Sequence, residues 1–400
     1  MGWRMPERQA WLAPEWRATA YYFTAFMTSG AATAYAGIWF QGQGLSGGEI
    51  GLIGSVPVFI MLVLNLIVGR IADRASDWRQ VIVIGALLGG IIPAGLFFVH
   101  GFFGILLVWT LASIPMAAIG PVADAAALRL TKRRGTDFGF IRAWGTVGYM
   151  VAIVITGQIV TLLGGGVFLP LFVGLALLRG VVALQLPNFR APKQERTLAA
   201  TGASRLREVM KPWFLLPLVG WSMVFATHLI LNSFQALLWK QQGIPDLTIA
   251  ILIALGAASE ATMMFVFKRF AGRLPARALI LLSAVIAALR WVAMAFAPDV
   301  VLLVPLQLLH SVTFALGFMG CVHFIANWTS EDIAAEAQSF FQVLQQVMAV
   351  IAVTAFGWLA DAYGVRAYFA SAAFAALGGG LIFMSMRLMA PKSQGAQTHA

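Results

Sequence analysis

Long apolar runs recur along the whole chain, and short polar segments separate them. A helix needs about 20 predominantly apolar residues to cross the hydrocarbon core of a bilayer. The pattern therefore predicts twelve membrane-spanning helices and an all-α polytopic membrane protein. The predicted spans lie near residues 17–41, 48–69, 79–98, 102–129, 138–162, 166–186, 212–240, 247–267, 277–297, 300–327, 334–362 and 365–388.

The composition agrees with this prediction. Of the 400 residues, 60% are hydrophobic and 11% are charged, and the mean hydropathy is +0.84, values that exclude an ordinary soluble domain. The formal net charge of +11 could indicate nucleic-acid binding, but the basic residues fall in short loops between the spans. We therefore expect the lipid bilayer as a partner and no nucleic acid.

The loops carry their charge unevenly. Lys and Arg concentrate in the N-terminal tail and in alternate loops, whereas the loops on the opposite side together contain two, Lys240 and Arg366. The excess of Lys and Arg marks the cytoplasmic side of a membrane protein. The N-terminus also lacks the features of a secretory signal, so we expect it to stay as a cytoplasmic tail. The expected location is the cell membrane, the inner membrane in a bacterium, with both termini in the cytoplasm.

The chain divides into two similar halves. We predict an N-terminal six-helix bundle at residues 1–186, a cytoplasmic linker at 187–211 and a C-terminal six-helix bundle at 212–400. Parallel six-helix repeats are typical of one class of secondary transporters, which bind substrate between the halves. Because the halves supply both sides of such a site, we expect a monomer. Residues match at a shift of 199 to 200 positions: Gly44 with Gly243, Arg74 with Arg273, Gly157 with Gly357, and Gly164 with Gly364.

Two opposite charges lie within neighbouring spans of the first half. Asp124 and Arg142 are each nine positions from Arg133, the centre of the loop that joins their helices. They therefore sit at the same depth. An unpaired charge at the bilayer centre costs about 2.5–3.5 kcal/mol, so we predict that the two pair inside the bundle. Arg179 is expected instead to snorkel or pair on the outside of its helix.

A second charged group is predicted in the other half. Arg290 and His310 are each ten positions from Val300, and Glu260 falls within about one helical turn of their depth. These three residues could form a proton-handling cluster. The alternative for both clusters is a structural ion pair that fixes helix packing.

Polar residues also form stripes on two helices of the second half. His228, Asn232 and Gln235 recur on one face, as do Gln342 and Gln345 on another. The stripes indicate either a wettable substrate cavity, in which His228, Asn232 and Gln342 would bind substrate, or interhelical hydrogen bonds. Tyr149 follows Arg142 by two helical turns and shares its face.

The segment GRIADR resembles the loop signature of the major facilitator superfamily, although its continuation ASDWRQ departs from the usual pattern. The resemblance implies that Gly69, Asp73 and Arg74 form a gating loop. It also implies the major facilitator fold for the two predicted bundles.

The charged residues resemble one branch of that superfamily more closely. Asp124 and Arg142 within DFGFIRAWGTVGY, together with Glu260, LRW, LQLLH, YYFTAF and LLWKQQG, are similar to lactose permease and the phenylpropionate permease-like proteins. The resemblance implies proton-linked uptake of a small organic solute, an aromatic carboxylate being one candidate. Asp124, Arg142 and Tyr149 would then engage substrate, while Glu260, Arg290 and His310 would couple it to protons.

Two departures from that branch affect these expectations. Thr313 stands where the sugar symporters carry a proton-accepting carboxylate, and Ala34 stands where many relatives have proline. Either Glu260 or Asp124 would then have to carry the proton. A proton-antiport exporter and a sugar or nucleoside symporter remain alternatives.

An enzyme is a competing class because GLSGG matches the G-x-S-x-G pattern of a nucleophile. The strand and turn that this nucleophile requires are not predicted. Ser46 and Glu49 have instead the spacing of a capping box at the start of the second span. We therefore predict that the chain is not an enzyme and needs neither cofactor nor metal. A nutrient receptor would need a signalling segment, which the short tails do not provide.

Overall fold

The computed structural model describes residues 13–74, 77–136, 138–189, 211–270, 274–329 and 331–388. Nearly all of these residues are helical. The predicted linker lies mostly in residues 190–210, outside the described residues, so the division of the chain at that segment stays a prediction.

The first six helices, here called the N-half, alternate in direction and are joined by short turns. They are α1 (Pro14–Gly42), α2 (Gly47–Arg74), α3 (Trp78–Ile91, continued by the 3-10 turn Ile92–Phe97), α4 (Gly101–Arg134), α5 (Phe138–Leu163) and α6 (Phe168–Ala183).

The last six helices, here called the C-half, repeat this order with two interruptions. They are α7 (Pro212–Leu229 and Leu231–Gln241), α8 (Asp246–Phe270), α9 (Ala276–Ala295), α10 (Val300–Leu308, the π-helical turn Ser311–Leu316 and Gly317–Trp328), α11 (Glu331–Tyr363) and α12 (Tyr368–Arg387).

Nine segments of the described residues are long and apolar enough to cross a membrane, and the last of them contains both α11 and α12. The twelve helices follow the predicted spans closely. The differences are the interruption of α7 at Ile230 and the wide π-helical turn in α10. Apolar periodicity predicts length and burial but carries no signal for either local change in the backbone.

Glycines allow α1 and α5 to cross at close range. A Cβ on Gly148 would overlap the backbone carbonyl of Phe23, and a Cβ on Gly30 would overlap that of Tyr149. Small residues at helix crossings in a membrane permit backbone contact, and packing then stabilises the pair. The close crossing brings the aromatic residues of α1 towards the charged residue of α5.

The two halves touch through α1 and α7, α2 and α11, and α5 and α8. We call the contacts at the end of the bundle away from both termini the distal seam. There the Tyr35 hydroxyl donates to the backbone carbonyl of Asp246 at 2.7 Å, and Gly37 packs directly on the carbonyl of Ser233. The Thr354 hydroxyl lies 2.8 Å from that of Ser55. The described helices are therefore closed together at this end.

The N-terminus of α2 is capped twice in the distal seam. Within the N-half, the Ser46 amide donates to the Glu49 carboxylate at 2.9 Å and the Glu49 amide donates to the Ser46 hydroxyl at 3.2 Å. This geometry confirms the predicted capping box. From the C-half, the Asp361 carboxylate accepts hydrogen bonds from the Gly47 and Gly48 amides. A helix of one half is thus capped by a side chain of the other.

Candidate functional site

The structure brings Asp124 and Arg142 together, as their equal depth predicts. The Asp124 Oδ1 atom lies 3.8 Å from the Arg142 Nε atom. The same oxygen accepts a hydrogen bond of 2.6 Å from the hydroxyl of Tyr22 on α1. The three residues, here called the Tyr22 triad, join α1, α4 and α5.

The triad lies against aromatic rings but is open to solvent. The Arg142 guanidinium carbon sits 4.3 Å from the ring centroid of Phe26 and 5.9 Å from that of Tyr22. The side chains of Arg142 and Asp124 are 39% and 49% exposed, while Tyr22 is buried. Because Asp124 bonds a buried side chain, it faces into the bundle, so its exposure indicates a solvent-accessible interior.

The C-half holds the predicted cluster of Glu260, Arg290 and His310. The His310 Nε2 atom lies 3.3 Å from the Glu260 Oε2 atom, and the His310 Nδ1 atom lies 3.2 Å from Arg290 Nη1. Arg290 is buried and also donates to the side-chain oxygen of Gln307 at 3.1 Å. His310 therefore stands between a guanidinium and a carboxylate.

The arginine determines the tautomer of His310. A guanidinium can only donate hydrogen bonds, so the His310 Nδ1 atom that faces Arg290 must accept. The ring proton then resides on Nε2, which faces the Glu260 Oε2 atom at 3.3 Å. In this arrangement His310 is neutral, and the carboxylate of Glu260 is the group of the cluster that can accept a proton.

Thr313 links this cluster to His228. Its hydroxyl accepts a 3.1 Å bond from Arg290 Nη1 and lies 2.9 Å from the His228 Nε2 atom. The His228 Nδ1 atom faces the carbonyl of Val224 at 2.9 Å, so it donates and Nε2 accepts from Thr313. The structure thus places His228, a predicted substrate ligand, in a buried hydrogen-bond relay.

Tyr149 lies on α5, two helical turns after Arg142. The Thr33 side chain and the Glu260 carboxylate both lie within electrostatic range of its hydroxyl. Tyr149 therefore connects α5 of the N-half with the charged cluster of the C-half, two turns away from Arg142.

The predicted polar stripes contain both exposed and buried members. Asn232 and Gln342 are exposed, so both amides are accessible to a solute. Gln235 and Gln345 are buried, and their amide nitrogens have no hydrogen-bond partner among the described residues. Each stripe therefore has one accessible amide and one that lies within the packed helices.

The expectation for Arg179 is wrong. Its side chain is only 3% exposed, and it donates to the backbone carbonyl of Gly89 on α3. Its helix is apolar all round, so no amphipathic pattern could show which face turns inward. Arg179 is a buried cation of the N-half that the sequence did not assign to the site.

The predicted gating residues fall at the end of α2. The backbones of Gly69, Asp73 and Arg74 lie in its last two turns, but their side chains are outside the described part of the chain. Their gating role therefore stays a prediction. Among the described residues, no group of His, Cys, Asp and Glu side chains is arranged to hold a metal ion.

Comparisons with known proteins agree on the family. The family described as "MFS_1 like family" matches residues 15–347. A protein of Escherichia coli named "Probable 3-phenylpropionic acid transporter" is 26% identical over 325 residues, which are 78% of this chain and 82% of that protein. The maltose permease of Geobacillus stearothermophilus is 30% identical over 289 residues, which are 70% of each chain.

Solved structures show the same fold. The nucleoside transporter NupG has 19% sequence identity and a TM-score of 0.79, over 94% of this chain and 98% of that one. A bacterial homologue of the human lysosomal transporter Spinster, in an inward-facing and unoccupied conformation, has 16% identity and a TM-score of 0.76, over 96% and 98% of the two chains. These likenesses confirm the predicted all-α fold of twelve helices.

Proposed function

The chain belongs to the MFS_1 like family of the major facilitator superfamily and is a multi-pass membrane transporter, not an enzyme; on that premise we propose that it takes up a small organic carboxylate together with protons. Arg142 of the Tyr22 triad binds the carboxylate, and the Glu260 cluster binds the proton. The name of the phenylpropionic acid relative makes an aromatic acid the first candidate substrate.

The loose pairing of Arg142 is the observation that carries this proposal. A charge-assisted bond between an arginine nitrogen and a carboxylate oxygen is about 2.7–2.9 Å long, whereas Arg142 Nε lies 3.8 Å from Asp124. The guanidinium is therefore not engaged by Asp124 in two parallel bonds. It can offer that geometry to a substrate carboxylate, and the ring of Phe26 beside it suits an aromatic substrate.

The balance of charges deep within the spans supports an anion. Three arginines, Arg142, Arg179 and Arg290, stand against two carboxylates, Asp124 and Glu260. A surplus positive charge in a membrane interior is costly unless a partner offsets it. A substrate carboxylate offsets this surplus, while an uncharged sugar or nucleoside does not.

Proton coupling rests on Glu260. Protonation removes its negative charge beside His310 and increases the positive surplus of the interior, so it favours binding of an anion. Tyr149 links this event to the triad, because it lies within electrostatic range of Glu260 and shares α5 with Arg142. The neutral His310 keeps its Nε2 atom facing Glu260 in this scheme.

Transport proceeds by rocking of the two halves around the sites. The closed distal seam and the accessible triad suit a state that is open at the end bearing the termini. The excess of Lys and Arg in the loops at that end supports a cytoplasmic assignment. Release to the other side requires the distal seam to open.

A second candidate is symport of a sugar. The identity with the maltose permease and the exposed amides of Asn232 and Gln342 favour it, because amides bind sugar hydroxyls. An exporter that exchanges solute for protons would use the same groups in the opposite direction.

Proteoliposomes that contain a pH-sensitive dye test these candidates. We expect external 3-phenylpropionate to drive proton entry faster than in protein-free vesicles, which report simple diffusion of the acid. Arg142→Ala and Glu260→Gln should abolish the difference, while Arg133→Ala, an exposed arginine of the same helix hairpin, should retain it. Proton entry driven by maltose alone would favour the second candidate. Solute efflux driven by an inward proton gradient, without any uptake, would support the exporter.

A further inference from the structure

Two side chains compete for one oxygen of Asp124. The Tyr22 hydroxyl donates to Oδ1 at 2.6 Å, and Arg142 Nε faces the same atom at 3.8 Å. The bond to Tyr22 has full hydrogen-bond length, whereas the ion pair is about 1 Å longer than a charge-assisted bond. Asp124 is therefore held by the tyrosine and only approached by the arginine.

Packing fixes the position of Tyr22. Its ring lies 6.5 Å from that of Phe26 in a stacked arrangement and 6.5 Å edge-on from that of Phe138. The side chain is only 4% exposed, so its hydroxyl has little access to water. A buried hydroxyl that loses its partner is costly, and the bond to Asp124 is the one described for it. The tyrosine can thus hold the carboxylate in a defined place.

We propose that Tyr22 is a positioning residue that keeps Asp124 from closing on Arg142 and so leaves the guanidinium free for a substrate carboxylate. The inference rests on the proposed function, since it assigns the substrate carboxylate to Arg142. Asp124 then acts as an internal competitor of the substrate. Tyr22 limits that competition, because its fixed hydroxyl holds the Asp124 carboxylate in a position where Arg142 Nε lies 3.8 Å away.

Removal of one oxygen atom tests the inference. Tyr22→Phe retains the ring and its packing but frees Asp124 to form a full ion pair with Arg142. Substrate must break that pair, so its affinity should fall about fivefold, the range expected for a partly exposed ion pair. The matched control is Tyr21→Phe, which removes the hydroxyl of the neighbouring, equally buried tyrosine and should leave the affinity unchanged.

An Asp124→Asn background separates positioning from simple packing. The neutral amide does not compete as an ion, so 3-phenylpropionate should bind about threefold more tightly than to the wild type. Adding Tyr22→Phe in this background should then have no further effect. A tyrosine that only supports the fold would cause the same loss in both backgrounds.

A thermal-shift assay measures the binding of 3-phenylpropionate to the purified full-length protein in detergent. It gives each dissociation constant without requiring turnover. A wild-type protein that does not bind the acid contradicts the proposed function. If the wild type binds but Tyr22→Phe binds equally well, the inference about Tyr22 is overturned. Loss of binding in Asp124→Asn also overturns it, because Asp124 would then be a required ligand and not a competitor.

Discussion

The interaction of Asp361 with α2 offers a direct test of how the distal seam is held. Both carboxylate oxygens of Asp361, near the end of α11, accept hydrogen bonds from amides at the start of α2, those of Gly47 and Gly48. Amides in the first turn of a helix lack partners within the helix, and the helix dipole favours a negative charge there. Asp361→Ala removes both bonds and the charge from the contact between the halves.

The size of the effect follows from the exposure of the contact. Hydrogen bonds to a charged group contribute about 1.5–3 kcal/mol each when they are shielded from water. Asp361 is exposed, however, and an exposed anion at a helix N-terminus contributes about 0.3–1 kcal/mol. We therefore expect a loss of about 1–2 kcal/mol for the closed seam, a shift of roughly five- to thirtyfold in its population. Asp361→Asn keeps one acceptor oxygen and should have a smaller effect.

Hydrogen exchange and spin labels report this change independently. Exchange of the peptide that contains Gly47 and Gly48 should accelerate in Asp361→Ala. The distance between labels at Gln43 and Tyr363, both exposed near the seam, should shift towards longer values. Asp299→Ala is the matched control, because Asp299 caps α10 within the C-half through the Leu302 amide at 2.9 Å.

The control should affect its own helix and leave the label distances unchanged. If Asp361→Ala gives the wild-type distances and the wild-type exchange at the start of α2, the carboxylate contributes nothing to closure. The seam would then depend on helix packing alone.

Two further substitutions examine buried polar groups. Thr313→Val breaks the relay and removes the partner of a buried donor on Arg290 and of a buried acceptor on His228. We expect a cost of about 1–3 kcal/mol and a lower unfolding temperature, with Thr313→Ser restoring most of it. Equal unfolding temperatures for the valine variant and the wild type would contradict the relay. Arg179→Met replaces a buried cation with an apolar side chain, a change that is often neutral for stability. It should weaken 3-phenylpropionate binding while the unfolding temperature is retained. Unchanged affinity would show that this charge does not contribute to the site.

The sequence predicts well those contacts that helix geometry alone determines. Two residues equally distant from the turn of a helix hairpin lie at the same depth, because each residue advances the helix by a constant 1.5 Å. This rule predicted the proximity of Asp124 and Arg142, which lie 3.8 Å apart, and of Arg290 and His310, which share a hydrogen bond. Apolar run length likewise predicted the order and approximate ends of the helices.

Contacts between helices distant in the sequence could not be predicted in this way. Tyr22 and Asp124 are 102 positions apart, and His228 and Thr313 are 85 apart. Both contacts depend on how helices cross and on their rotation about their own axes, which follow from close packing at particular residues. An apolar helix gives no sign of its rotation, and for this reason Arg179 was assigned to the wrong face.

The position of α5 explains how the substrate site and the proton site are coupled in the proposed function. This helix carries Arg142 in the triad and, two turns further, Tyr149, which lies within electrostatic range of Glu260. It also packs on α8 of the other half. A proton on Glu260 adds one positive charge to the interior, and a bound carboxylate removes one. With both ligands bound, the interior therefore has the same net charge as when it is empty. Because charge in a membrane interior is costly, a proton alone, which raises the surplus to two positive charges, disfavours rocking of the halves. A bound carboxylate removes that added cost, and this coupling needs no direct contact between proton and substrate.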